Sequence, residues 1–258
     1  MRKLTIAALL TALLATSIIA DKQLRPWSEW SEKDAQKILD DSPWGRTQTE
    51  TDTSEMFFQP TTANGPNAAS RAKQGATNSE VHVNFHIRFF TAKPIRQALV
   101  RLVQLSNSDL RSDAIGRLND FANIHSTDLI IVTVAFDSTD QRFSGPVMQA
   151  FASSTTDVLK NNTYLERKDG KRVFLTEYIP PGKDGFGARF IFPRQVDDKP
   201  FLNAESGEVR FCSAFSAAAE SSTMKSPQSQ AKVPDAPTIK LDRRFKVVDM
   251  IYDGQLEY

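Results

Sequence analysis

The sequence predicts an α+β protein with a largely antiparallel sheet, and three features predict it. Two or three amphipathic helical stretches lie in the first half of the chain. The second half is a series of short strand-like runs, and Asp-Gly pairs link neighbouring runs as tight hairpin turns would. A short Trp-flanked N-terminal helix and a polar linker are expected to precede this domain.

In chain order, Arg2 and Lys3 open a positive segment, followed by the apolar and small-residue run "LTIAALLTALLATSIIA" with Ser17 and Ala20 at its exit. This is the pattern of a cleaved signal peptide over residues 1–20. A retained membrane anchor is the alternative, because the run falls just short of a full span. Export to the periplasm or medium is the expected localisation, with no transmembrane span once the leader is removed.

Residues 21–46 hold all three tryptophans, Trp27, Trp30 and Trp44. Ser31 followed by Asp34 approximates a capping box, and Glu32 with Asp34 places negative charge in a first helical turn. Ala35, Ile38 and Leu39 then share a face, and Ser42-Pro43 stops the helix. So short a helix is unstable alone, and its tryptophans must bury against the main domain or a partner. Trp27, Trp30 and Trp44 are therefore the candidate partner-binding residues. The letters "WSEWS" also spell a cytokine-receptor signature, but paired upstream cysteines are missing and the chain has a single cysteine, Cys212. A lone thiol forms no internal disulfide, and in an apolar run it reads as a small buried hydrophobe.

From 47 to 79 the composition is polar and small, broken only by Met56, Phe57 and Phe58, and reads as a linker. The domain proper is expected over 80–258. Residues 81–90 alternate as a strand, "AKPIRQALVRLVQL" follows as an amphipathic helix, and a second helix covers about 112–123. "LIIVTVAF" (129–136) reads as a central strand and 145–160 as another helix. "TYLERKDGKRVFLTEYI" is a hairpin around Asp169-Gly170; "GARFIFPR" and "EVRFCSAF" add strands. After a second polar insertion at about 217–237, "RFKVVDMIYDGQLEY" turns at Asp253-Gly254.

The stretches "WSEKDA" and "DSPW", with "IRQALVRL", "FIFPR" and "FKVVDMIYDGQLEY" further on, together resemble a group of uncharacterised bacterial exported proteins. The resemblance is scattered over most of residues 27–258 and implies export and a shared fold. That group carries no established activity, so no catalytic residue transfers with it.

Lys plus Arg number 32 against 31 for Asp plus Glu, a balance that drives no general attraction to nucleic acid. The basic stretches "DRRFK" (242–246) and "ERKDGKR" are too short and too mixed with acids to change that. His82 and His86 share a strand face about 13 Å apart, too far to hold one zinc ion. No dinucleotide, phosphate-loop, nucleophile-elbow or zincin motif is present, so no cofactor or metal is expected. Asp137 and Asp140, at the end of an apolar strand, are the best remaining chemical candidates, but a strand end entering a turn, where Asp, Ser and Thr satisfy backbone groups, explains them better.

The leading functional expectation is a non-enzymatic binding or assembly module of the cell envelope, with another envelope or secreted protein as partner and no nucleic acid. The alternative is a hydrolytic enzyme centred on Asp137 and Asp140, with His86 or His125 brought in by the fold. A histidine nitrogen within about 3 Å of either carboxylate, lining a cleft, would favour the second.

Overall fold

A computed structural model describes residues 25–51, 82–125, 128–138, 141–216 and 238–258. The expected signal peptide over 1–20, the MFF patch, Asp140 and the expected polar insertion at 217–237 lie outside the described residues. Within them the fold is α+β, and every strand pairing is antiparallel.

Helix α1 (Glu32–Asp40) starts as its sequence dictates. The Ser31 hydroxyl accepts from the Asp34 backbone N–H, and the Asp34 carboxylate accepts from the Ser31 N–H, completing the capping box. Ser42 Oγ ends it by donating to the Ile38 carbonyl at 2.6 Å, while accepting from the N–H groups of Trp44 and Gly45. Strand β1 (Gly45–Thr51) leaves so close to α1 that a Cβ on Gly45 would overlap the Leu39 carbonyl. That close approach fixes the end of α1 against the sheet.

The first sheet has the order β1-β2-β3-β7-β6, adding β2 (His82–Phe89), β3 (Leu129–Ser138), β6 (Glu177–Ile179) and β7 (Ala188–Pro193). The second has the order β11-β10-β4-β5, from β4 (Tyr164–Arg167), β5 (Arg172–Phe174), β10 (Glu208–Ser216) and β11 (Thr238–Lys246), while β8 (Gln195–Val196) and β9 (Lys199–Pro200) pair only with each other. Strand alternation sends Val83, Phe85, Ile87 and Phe89 inward, where they are buried. The two sheets meet through phenylalanines: Phe89 on Phe245 with ring centroids 4.9 Å apart, and Phe190 on Phe211 at 5.2 Å. Phe151 from α4 (Gln141–Ser153) stacks on Phe215 at 4.5 Å.

Helices α2 (Lys93–Ser106) and α3 (Ser112–Asn123) fall where periodicity puts them. The expected single helix over 145–160 is instead α4 and the short α5 (Thr156–Leu159), broken at Ser154 and Thr155. The Asp253-Gly254 turn closes a small C-terminal hairpin, with both residues at positive φ as such a turn requires.

Two further expectations are corrected. The linker does not begin at Thr47, because residues 45–51 form β1 and pair with β2 in full register, Gly45↔Arg88 to Thr51↔His82. Its inward positions are Arg46, Gln48 and Glu50, so the strand carries no apolar alternation to read. Nor is the Trp segment a separate element. Trp30 and Trp44 lie in the chain's own core, both 3% exposed. The Trp44 indole donates to the Glu257 carbonyl at 2.9 Å and meets Tyr252 edge-on, while Trp30 donates to the Arg25 carbonyl. Trp27 packs half-buried against the same core.

Candidate functional site

Strand β2 turns His82, Asn84, His86 and Arg88 to the face opposite its apolar side chains. The diagonal neighbour on β3 is Asp137, whose Oδ2 lies 2.6 Å from His86 Nε2. From the other side, Asp40 at the end of α1 brings Oδ1 to 2.8 Å from His86 Nδ1. Arg88 donates to the same Asp40 oxygen at 2.8 Å and to the Leu39 carbonyl at 3.0 Å, capping the helix C-terminus. Asn84 donates to Asp137 at 3.0 Å and accepts from Thr49 at 2.8 Å. The row Thr49–Asn84–Asp137–His86–Asp40–Arg88 is a continuous polar network.

The network sets its own charge states. The Asp40 hydrogen bond raises His86 above its ordinary value against the opposing pull of burial, and Asp137 adds to the rise. Burial pushes the Asp40 carboxyl up, but hydrogen bonds from His86, Gln36 and Arg88 outweigh it and hold the group well below the usual carboxylate range. Both carboxylates therefore favour the protonated imidazole of His86 over the neutral one.

Of the two conditions that would favour the hydrolytic alternative, His86 meets the distance to Asp137, but neither residue lines the groove described below. His125 goes elsewhere, with Nδ1 3.9 Å from Glu257, and Asp140 lies outside the described residues. The chemistry this allows is narrow. Thr47 Oγ1 sits 3.3 Å from His86 Nδ1, a nucleophile-to-base spacing, but Asp40 holds that nitrogen at shorter range. The two carboxylates occupy opposite nitrogens, so the three groups do not converge on one point. No group of three or more His, Cys, Asp or Glu among the described residues could hold a metal ion.

Beside this network is an open groove of roughly 840 Å³ lined by Asp40, Asp41, Arg46, Thr47, Asp242, Arg243 and Arg244. It lies between the edge strands of the two sheets, β1 and β11. Gln48 joins those edges: its amide nitrogen donates to the Lys240 carbonyl at 2.7 Å, and its carbonyl accepts from the Asp242 N–H at 2.9 Å. One buried side chain thereby stands in for a strand's peptide group.

The groove's carboxylates are all engaged. Asp40 belongs to His86 and Arg88, Asp41 pairs with Arg46 at 2.9 Å, and Asp242 takes a two-pronged contact from Arg210, Nε to Oδ1 at 2.7 Å. Among the described residues Arg243 and Arg244 have no carboxylate partner. Arg243 points from the inner side of β11, between Leu241 and Phe245, and its Nε is buried without a hydrogen-bond partner.

"DRRFK" marked this patch in the sequence, and Asp137 was singled out. Asp40, Arg46, Thr47 and Gln48 were missed, since Asp40 lies in a helix end, Arg46 closes the Trp segment and Thr47 and Gln48 fall in apparent linker. Cys212 is buried, and burial raises its thiol, as a small core hydrophobe's would be.

No protein-family model matches the chain, and no curated protein or solved structure is similar enough to count as a match. Among the described residues no helix is long and apolar enough to cross a membrane.

Proposed function

We propose that this chain is a non-enzymatic exported binding module of the cell envelope, and that the groove between β1 and β11 takes an acidic ligand. One observation carries the reading: among the described residues, when every carboxylate around the groove is paired, the guanidinium groups of Arg243 and Arg244 are left over. An acidic ligand supplies the missing partners, and guanidinium favours carboxylate geometry. Export rests on the leader pattern and on the resemblance to bacterial exported proteins.

Isothermal titration with hexaglutamate and hexalysine peptides tests the reading. Hexaglutamate binds the wild-type chain, and Arg243→Gln/Arg244→Gln weakens it by about tenfold or more, as loss of charge-assisted hydrogen bonds does. Equal affinity in the double variant, or no binding of hexaglutamate at all, overturns it.

A hydrolytic reading has one specific observation in its favour, the 2.6 Å contact of His86 with Asp137 beside the Thr47 hydroxyl. It requires Asp40 to release His86 Nδ1. Asp40→Asn would then raise turnover of a simple activated ester, with His86→Ala abolishing it. Identical rates in wild type and both variants would remove this reading.

A further inference from the structure

The two hydrogen bonds from Gln48 fix which way the backbone of β11 faces. They engage the Lys240 carbonyl and the Asp242 N–H from outside the sheet. In an antiparallel ladder, alternate residues turn both backbone groups to the same side. Arg244 therefore faces outward with Asp242, while Leu241, Arg243 and Phe245 pair inward with Ser213, Phe211 and Val209.

Gln48 satisfies only part of this edge. The Asp242 carbonyl and the N–H and carbonyl of Arg244 make no hydrogen bond among the described residues. They border the same groove that Arg243 and Arg244 line. An uncovered strand edge is a template for another strand. Cationic side chains along an edge deter neutral or basic chains, so they select the chain that can pair there.

On these observations, and resting on the acidic-ligand reading of the groove, we infer that β11 is a docking edge for an extended acidic segment of a partner protein, which adds to the second sheet as a fifth strand. The backbone of the added strand meets Asp242 and Arg244. Alternate side chains fall on opposite faces of the sheet. Acidic residues at every second position reach Arg243 on the inner side, and the rest lie outside beside Arg244. Backbone pairing supplies affinity and the arginines supply selectivity, the division of labour usual in strand addition.

The test uses the full chain and the peptide Ac-(Glu-Val)4-NH2, compared with a version N-methylated at alternate residues and with Ac-(Lys-Val)4-NH2. Hydrogen exchange is followed at the Arg244 amide and binding by titration. The acidic peptide binds and slows exchange at Arg244, while N-methylation or the basic sequence weakens binding by about tenfold or more. Arg244→Pro removes an outward N–H at an edge, a position where proline is tolerated. If the variant retains wild-type circular dichroism, it loses the acidic peptide to a similar extent.

Equal binding of the methylated peptide overturns strand addition while leaving the acidic groove intact. Failure of both acidic peptides and hexaglutamate removes the groove reading as well. Slow exchange at Arg244 in the free protein would mean that the edge is already covered, by its own chain or a second copy, and also overturns the inference.

Discussion

The polar network around His86 and the groove beside it are built from the same residue types, yet they end in opposite states. In the first, every charge is answered: Asp40 and Asp137 hold the two imidazole nitrogens, and Arg88 divides its donors between Asp40 and the Leu39 carbonyl. In the second, three carboxylates are consumed by Arg46, Arg88, His86 and Arg210, and two guanidiniums remain. A saturated network holds elements together, here the end of α1 on the sheet. An unsaturated one has free energy to gain from a ligand.

The largest effect is expected from breaking the saturated side. Asp40→Ala leaves Arg88, only 8% exposed, with an unpaired charge and frees one side of His86. Losing one partner of a buried pair costs about 3 kcal/mol, read by chemical denaturation. Next comes Gln48→Ala, which strands the Asp242 N–H and the Lys240 carbonyl where the two sheets join. It costs about 1–3 kcal/mol by the same measurement, the range for leaving buried polar groups unsatisfied.

The pH dependence of stability separates the two regions further. The folded-state value of His86 lies above its ordinary one, so its contribution is fully present below about pH 6.5 and is lost as pH climbs through the folded value. Asp40 acts in the opposite direction. Its folded value is depressed, so its contribution holds above the ordinary carboxylate range and is lost as pH falls below it. Thermal unfolding between pH 5 and pH 9 should show a decline toward the alkaline end that His86→Gln removes. An unchanged decline in that variant would assign it to other groups.

The smallest stability effect belongs to the unsaturated side. Arg243→Gln/Arg244→Gln breaks no ion pair among the described residues and should shift stability by less than about 0.5 kcal/mol, while acting strongly on ligand affinity. A loss of several kcal/mol in that double variant would make the two arginines structural and end the contrast.

How much of this was legible in the sequence follows from what each element is made of. The helix α1 was readable down to its capping box because the cap is local, three residues apart. Strand β2 was readable because its inward Val, Phe and Ile alternate with polar residues, and β3 because a short continuous apolar run marks a central strand. Strand β1 was not, since an edge strand that turns Arg46, Gln48 and Glu50 inward resembles a polar linker. The tryptophans were correctly expected to bury, but composition says nothing about against what, and Trp44 found Glu257 and Tyr252 at the far end of the chain. For the site, Asp137 and His86 were visible as separate residues. Their meeting depends on the β2–β3 register, and Asp40 joins them only because Gly45 lets β1 pass close under α1.

The central claim is that the unpaired arginines of the groove, and not the paired His86 network, meet the ligand. Amide and imidazole NMR of the full chain, titrated with hexaglutamate at neutral pH, tests it most directly. The account predicts shifts at Arg46, Thr47 and 242–244, with the His86 imidazole proton resonances unmoved. Shifts concentrated on His86 and Asp137, with 242–244 silent, would contradict it and make the polar network the working site.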